Sequence, residues 1–263
     1  MPGRLQGKVA IITGGTRGIG EVTAHRFAHE GAKVALLGRR VPAGEAVQHA
    51  IRAAGGEAVF IVCDVSDRGA VEAAVAQTVD RYGSLHVLCN NAGGGAGAVF
   101  PEESEEEWER VLRLNLTGTF LMCRAAWPHL IAAGGGAIIN MSSLAAVAGF
   151  NDRVREIQQM PPPSASYFAA KAGIEAFTRY LADLGGSHHI RVNCVRPGQI
   201  LTPQMAQTRG EHPYVRRFEL VQMLTEPGRA EDVANTIIFL ASDEARFITA
   251  EVINVDGGAA AKV

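Results

Sequence analysis

The stretch Val9-Ala-Ile-Ile-Thr-Gly-Gly-Thr-Arg-Gly-Ile-Gly20 constrains the fold more than any other part of the chain. Val9 to Ile12 is a short run of apolar, mostly β-branched residues, the pattern of a strand buried on both faces. Glycines follow at Gly14, Gly18 and Gly20, and Glu21 to Glu30 reads as a helix. A strand, a glycine-rich turn and a helix N-terminus together make an anion site. The turn bares backbone N–H groups, and the helix dipole adds positive potential. Side chains would hold a pyrophosphate away from that backbone. The spacing is G-x-x-x-G-x-G rather than G-x-G-x-x-G, and on its own it also fits a tight turn that binds nothing.

The strand–helix alternation continues. Strands are expected at Lys33–Leu37, Ala58–Val62, Leu85–Cys89, Ala137–Met141, His189–Val195 and Glu251–Val255. Helices are expected at Ala43–Ala54, from a Ser66 cap to Tyr82, over 108–133, at Ser164–Leu184 and at Ala230–Ala241. Ser104 and Glu107 form a capping box, and the acidic cluster Glu102 to Glu109 complements a helix dipole. The whole pattern implies α/β architecture: one domain over 1–263, a Rossmann-like, doubly wound parallel sheet with helices on both faces. Two segments break it. Residues 148–163 are charged and end in three prolines, and 199–228 form a long excursion with a helical piece near Tyr214 to Leu224. Ligands of such sheets bind beyond the carboxyl ends of the strands. There the chain places Gly14 to Gly20, Gly38-Arg39, Asp64, Asn90 to Gly93, Ser142-Ser143 and Pro197-Gly198.

The formal net charge of −2 gives no support for nucleic-acid or membrane binding. No apolar run approaches a membrane span, and the N-terminus has no apolar core of a signal peptide. Cys63, Cys89, Cys123 and Cys194 form no C-x-x-C pair and read as free core thiols. These features suggest a cytoplasmic protein. His188-His189 have no third ligand in sequence, so no metal site is expected.

Tyr167-Phe-Ala-Ala-Lys171 is the other informative stretch. Four positions apart on a helix, Tyr167 and Lys171 project from one face. A phenol of ordinary pKa is a poor acid–base catalyst near neutrality. An ammonium beside it favours the phenolate. Such a pair can give a proton to a carbonyl as hydride arrives, or take one from an alcohol. Ser143 stands where it could bond the same oxygen. Alone, a Y-x-x-x-K spacing is equally a helical tyrosine with a solvated lysine.

Taken together, these motifs resemble the short-chain dehydrogenase/reductase family over essentially the whole chain. Thr13 to Gly20 resembles the family's cofactor loop, which implies nicotinamide dinucleotide contacts from Gly14, Thr16, Arg17, Gly18, Ile19 and Gly20. Asp64-Val65 resembles its adenine-contacting pair, and Asn90-Asn91-Ala92-Gly93 the motif that braces the sheet beside the cofactor. Asn115 matches the asparagine that holds a proton-relay water. Ser143, Tyr167 and Lys171 match the catalytic serine, tyrosine and lysine, with Lys171 also holding the nicotinamide ribose. Arg191 to Gly198, with Ile200 and Thr202, resembles the segment that closes over the nicotinamide at Pro197 and Gly198. Asp256-Gly-Gly258 resembles the family's C-terminal ending. The resemblance implies interconversion of a carbonyl and a secondary alcohol, on a 3-oxoacyl substrate or a more general ketone. It also implies a homotetramer or homodimer. A non-catalytic dinucleotide-binding regulator, or an isomerase or lyase on the same fold, are the rival readings.

The chain departs from the family pattern between serine and tyrosine. Positions 143 and 167 are 24 apart, against about a dozen in the family, and the extra residues fall in an insertion at 151–163. It is either an inert surface insertion or a substrate-side wall whose Arg153 and Arg155 meet an anionic group. The departure also opens the choice between Ser142 and Ser143, and Ser143 is preferred as the second serine after the strand. A carboxylate after the second strand would select NAD. This chain has Gly38-Arg39-Arg40 there instead. Guanidinium groups suit a 2′-phosphate, so Arg39 points to NADP(H), and the resemblance implies the same for Arg17, since NADP-preferring members of the family carry a basic residue at that place in the loop. The segment 199–226, with Met205, Tyr214, Phe218, Leu220, Met223 and Leu224, is expected to form a lid over a partly apolar substrate.

Overall fold

The computed structural model describes residues 3–149, 152–158, 163–206 and 221–262. Seven strands form one parallel sheet: β1 (Val9–Thr13), β2 (Lys33–Gly38), β3 (Glu57–Val62), β4 (Val87–Asn90), β5 (Gly136–Met141), β6 (Ile190–Pro197) and β9 (Val252–Val255). Their spatial order is β3-β2-β1-β4-β5-β6-β9. Alternate residues of each strand feed opposite faces. Ala10 and Ile12 of β1 pack with Phe27 on one side, while Ile11 packs with Leu88 and Leu121 on the other. The first face is covered by α1 (Gly18–His29), α2 (Val41–Ala53) and α9 (Ala230–Ala241). The second is covered by α3 (Arg68–Tyr82), α5 (Gly118–Ala132) and α7 (Ala165–Gly185). Two-sided burial is why the strands read as continuous apolar runs.

The chain runs outward in opposite directions from β1 and β4, which are paired neighbours. A crevice therefore opens beyond their carboxyl ends. A two-stranded ribbon, β7 (Ile200–Leu201) with β8 (Gly228–Arg229), and the short α8 (Pro203–Ala206) stand over it. A short α10 (Ala259–Lys262) ends the described chain.

Local details differ from the sequence expectation. α3 is capped by Asp67, whose carboxylate accepts from Ala70 N at 2.7 Å. Ser66 is engaged elsewhere, donating its hydroxyl to Asp64 at 2.6 Å. The long helix expected over 108–133 is α4 (Glu105–Leu112), a π turn at Arg113–Thr117, and then α5. A π turn holds one extra residue, and it carries Asn115. Within the charged segment expected to be irregular, Asp152–Gln158 forms a helix, α6. Asp152 lies in its first turn, where it complements the dipole, and pairs with Arg155 one turn on. Of the three prolines, Pro161 and Pro162 lie outside the described residues, as does 214–220 of the expected helical piece. Residues 221–226 form turns and bends rather than a helix.

Candidate active site

The turn after β1 is tied to both neighbouring strands. Gly14 N donates to Leu37 O at 2.8 Å. The Asn91 amide donates to Thr13 O and Gly14 O at 3.0 and 3.2 Å, and Ala92 N donates to the Thr13 hydroxyl at 2.9 Å. A Cβ on Gly20 would lie 2.3 Å from Gly14 O and 2.4 Å from the Asn91 amide nitrogen. No side chain fits there, so α1 starts hard against the turn. Arg17 precedes α1 in extended conformation and makes no side-chain cap. The Gln204 carbonyl oxygen instead accepts from Gly18 N at 3.2 Å, while its amide donates to Glu21. A polar oxygen is thus already drawn to the positive end of α1. This small-residue turn at a helix N-terminus fits the pyrophosphate of a dinucleotide. Thr16 packs by its methyl against Gly38, and Ile19 faces the cavity described below.

At the end of β2, Arg39 is exposed and reaches Asp64 at 3.3 Å. Burial alone would raise the Asp64 carboxyl, but hydrogen bonds from Ser66 and the Arg39 charge hold it below its ordinary value. Val65 is buried and packs on Gly118 at the head of α5. No carboxylate stands at positions 38–40.

α7 carries Tyr167 and Lys171 one turn apart. Its first turn is capped by Ser164, which accepts from Tyr167 N at 3.4 Å. The Lys171 ammonium is buried and donates to Met141 O at 2.9 Å, 5.4 Å from the centre of the Tyr167 ring. Burial pushes Lys171 down to about 8. The Tyr167 phenol is pushed up by burial and drawn partly back by its hydrogen bond to Ser143. Lysine was expected to lower the phenol. Here the ammonium donates to the Met141 carbonyl, and burial of the phenol sets the direction of the shift.

The two serines after β5 separate clearly. Ser143 opens a short 3-10 turn, accepts from Ala145 N at 3.2 Å and faces Tyr167. Ser142 is buried behind it, donating to Glu175 at 2.6 Å and to Lys171 O at 3.3 Å. Asn115 is buried in the π turn. Its amide donates to Gly94 O and Val111 O at 2.8 and 2.9 Å, and its oxygen accepts from Gly94 N at 3.3 Å. A Cβ on Gly93 would lie 2.5 Å from the Asn115 oxygen and 3.3 Å from the Lys171 ammonium.

These groups converge on one open cavity of about 710 Å³. Ser143, Tyr167 and Lys171 line one side, and Ile19, Asn91 and Gly93 the cofactor-cradle side. Pro197, Gly198, Ile200, Thr202 and Met205, from the end of β6 through β7 into α8, complete its lining. Arg155 of α6 lines the cavity; Arg153 is exposed and lies outside its wall. Tyr214, Phe218 and Leu220 lie outside the described residues, and Met223 and Leu224 are exposed.

Four positioning residues are not legible in the sequence. Arg196 holds Glu175 through two bonds, at 2.8 and 2.6 Å, and Glu175 in turn holds Ser142. The signal for Glu175 was its place four residues after Lys171, continuing the Tyr167–Lys171 face. Glu103, from the acidic cluster, serves α7 rather than its own helix. It accepts from Ser166 N at 3.2 Å and from the Ser166 hydroxyl. Gln204, over Gly18, had no signal in the sequence. All four cysteines are free and buried, and burial pushes Cys89, Cys123 and Cys194 up to about 12. Among the described residues no helix is long and apolar enough to cross a membrane.

A family model described as enoyl-(acyl carrier protein) reductase matches residues 14–260. The chain is 39% identical over 260 residues to a 2,5-dichloro-2,5-cyclohexadiene-1,4-diol dehydrogenase of Sphingobium indicum, covering 98% of each chain. It is 38% identical over 261 residues to a 3-oxoacyl-[acyl-carrier-protein] reductase of Chlamydia trachomatis, covering 99% of this chain and 100% of that one. A Burkholderia xenovorans crystal structure, described as a short-chain dehydrogenase/reductase, superposes with a TM-score of 0.88 at 38% identity over 99% of each chain.

Proposed function

The chain belongs to the short-chain dehydrogenase/reductase family of oxidoreductases, and we propose that it interconverts a carbonyl and a secondary alcohol with NADP(H), Tyr167 moving the proton. The observation that carries this reading is the convergence of Tyr167, Ser143 and Lys171 on a cavity that is also lined by Ile19 of the glycine-rich turn and by Asn91, which ties that turn down.

The nicotinamide cofactor, when bound, supplies or accepts the hydride. Gly14, Thr16, Arg17, Gly18, Ile19 and Gly20 would hold its pyrophosphate. Asp64 and Val65 would take the adenine, and Asn91, Ala92, Gly93, Pro197, Gly198, Ile200 and Thr202 the nicotinamide end. Lys171 would hold the nicotinamide ribose. Ser143 and Tyr167 hydrogen-bond the substrate oxygen and draw its charge outward. As that oxygen gains negative charge in reduction, Tyr167 gives it a proton; in oxidation the proton returns. The Lys171 ammonium faces the ring and favours the phenolate left behind. Asn115 would hold the water that connects this pair to solvent.

NADP(H) rather than NAD(H) is favoured by Arg39 at the rim and by the lack of a carboxylate at 38–40, with Arg17 nearby. The same proposal takes the chain as one dinucleotide-binding and catalytic domain, with a lid at 199–226. It takes a small-molecule carbonyl as substrate, either a 3-oxoacyl thioester or a more general ketone. A homotetramer or homodimer fits the exposed Phe120 of α5 and Tyr180 and Leu184 of α7. Free thiols agree with a cytoplasmic location.

The test is an NADPH-oxidation screen across ketones, acyl thioesters, quinones and sugars. Stoichiometric consumption of NADPH with at least one carbonyl supports the reading. Conversion of substrate with no NADPH consumed would assign an isomerase or lyase. Tight cofactor binding with no conversion of any kind would assign a regulator.

A further inference from the structure

The cavity carries one charge that carbonyl reduction itself does not use. It belongs to Arg155, on α6, in the insertion between Ser143 and Tyr167. We propose that Arg155 binds a carboxylate on the substrate, so that the compound interconverted is an oxo acid and its hydroxy acid. This rests on reading the site as a carbonyl/alcohol oxidoreductase. The carboxylate is unchanged in the reaction: one hydride from NADPH and one proton through Tyr167 convert C=O to CH–OH.

Four observations point the same way. First, Arg155 lines the same cavity as Ser143 and Tyr167, whereas Arg153 on the same helix does not. Second, the other charged lining residue among those described is Lys171, which is buried beneath Tyr167 and donates to Met141 O. No carboxylate lines the described wall, so Arg155 is the charge there that attracts an entering anion, with the Asp152 carboxylate held on the guanidinium outside that wall. Third, the lining that Arg155 shares includes the apolar Leu144, Ala145, Ala148 and Phe168. A charged hydrogen bond is stronger against such a wall than in open water. Fourth, Arg155 pairs with Asp152, whose side chain is 85% exposed against 32% for Arg155. A pair with so exposed a partner contributes little. The guanidinium offers five N–H groups in a planar fork, a geometry that matches the two oxygens of a carboxylate. The phosphates of a pantetheine-linked thioester share this anionic chemistry. A pantetheine arm, however, separates them from the reacting carbonyl by many bonds, whereas Arg155 and Tyr167 line one cavity.

The experiment compares charged and uncharged forms of one skeleton. NADPH oxidation is followed with acetoacetate, levulinate and 4-oxocyclohexanecarboxylate, each beside its methyl ester. The enzymes are the wild type, Arg155→Ala, Arg155→Lys and Arg153→Ala, with thermal melts to confirm that each variant folds. The expected result is an acid-over-ester preference in kcat/KM of about tenfold for at least one pair. That preference falls toward parity in Arg155→Ala, mainly through KM. It is partly kept in Arg155→Lys and is unchanged in Arg153→Ala. Turnover of esters and acids at equal efficiency by the wild type overturns the carboxylate assignment while leaving the oxidoreductase reading intact. So does an acid preference that survives in Arg155→Ala. In a parallel arm, 3-oxoacyl-CoA is set beside its N-acetylcysteamine analogue. A CoA preference that Arg155→Ala abolishes reassigns the residue to phosphate and overturns the proposal. If no carbonyl of any kind consumes NADPH, the oxidoreductase reading itself fails, and this proposal with it.

Discussion

The Lys171 ammonium sits 5.4 Å from the centre of the Tyr167 ring, and it donates to Met141 O at 2.9 Å rather than to the phenol. A buried charge is thus spent on one backbone carbonyl, in a place where burial opposes it. Lys171 titrates at about 8 in the folded chain, below its ordinary value of 10.5. The folded state therefore binds fewer protons than the unfolded state between these values, and stability rises with pH across that window. Below about pH 8 the full cost of the buried ammonium is present.

Lys171→Met should accordingly stabilise the protein at pH 7 while removing activity. After allowance for the orphaned Met141 carbonyl, the gain should be about 1–3 kcal/mol. Denaturant melts of the two proteins at pH 7 and at pH 10 provide the check. The gain should shrink at the higher pH, and a destabilised variant at pH 7 would show that the ammonium is held by more than this carbonyl.

Glu175 and Arg196 form a buried bidentate pair that also fixes Ser142. Burial alone would raise the Glu175 carboxyl, and the Arg196 and Ser142 hydrogen bonds outweigh it and hold it low. A depressed carboxyl stabilises the fold above its unfolded pKa, and that contribution is lost as pH falls through the folded value. Glu175→Gln should cost about 3 kcal/mol at pH 7, because it leaves Arg196 without its counter-charge. The difference from wild type should narrow in melts carried out at acid pH.

The legible part of the molecule is the part built from local pattern. Two-sided apolar strands announce themselves as continuous β-branched runs, and Ala10, Ile11 and Ile12 alternate between the two cores as that pattern requires. The glycine cradle was visible because only glycine tolerates the approach of Gly20 to Gly14. What escaped depends on groups distant in sequence or on a local break in period. Glu103 caps a helix 63 positions away. Glu175 and Arg196 meet across 21. The π turn at Asn115 leaves the helical pattern on either side of it intact, so periodicity could not reveal it. Arg153 and Arg155 look alike in sequence, and only the orientation of α6 puts one of them at the cavity.

Gly20→Ala should damage cofactor binding more than any other single change in the cradle. Its Cβ would sit 2.3 Å from Gly14 O and 2.4 Å from the Asn91 amide, so the turn or α1 must move. A loss of at least tenfold in NADPH affinity is expected, about 1.4 kcal/mol, and fluorescence titration of NADPH measures it. Affinity equal to wild type would mean that the pyrophosphate does not lie on this turn.

Arg39 is exposed at the rim with Asp64 on one of its nitrogens. The wild type should favour NADPH over NADH by about tenfold or more in kcat/KM. Arg39→Ala should erase most of that ratio by weakening NADPH and leaving NADH nearly as before. Equal use of the two cofactors by the wild type would remove Arg39 from the selection of the cofactor.

The most direct test of the central claim is Tyr167→Phe, with turnover and cofactor binding measured on the same protein. Ser164, Glu103 and Lys171 hold α7 independently of the phenol oxygen, so the variant should fold and bind NADPH within about twofold of wild type. Its kcat should fall by about 100-fold or more, the range expected when a general acid is removed. Near-wild-type turnover in the variant would contradict the account, because the proton would then have to come from another group.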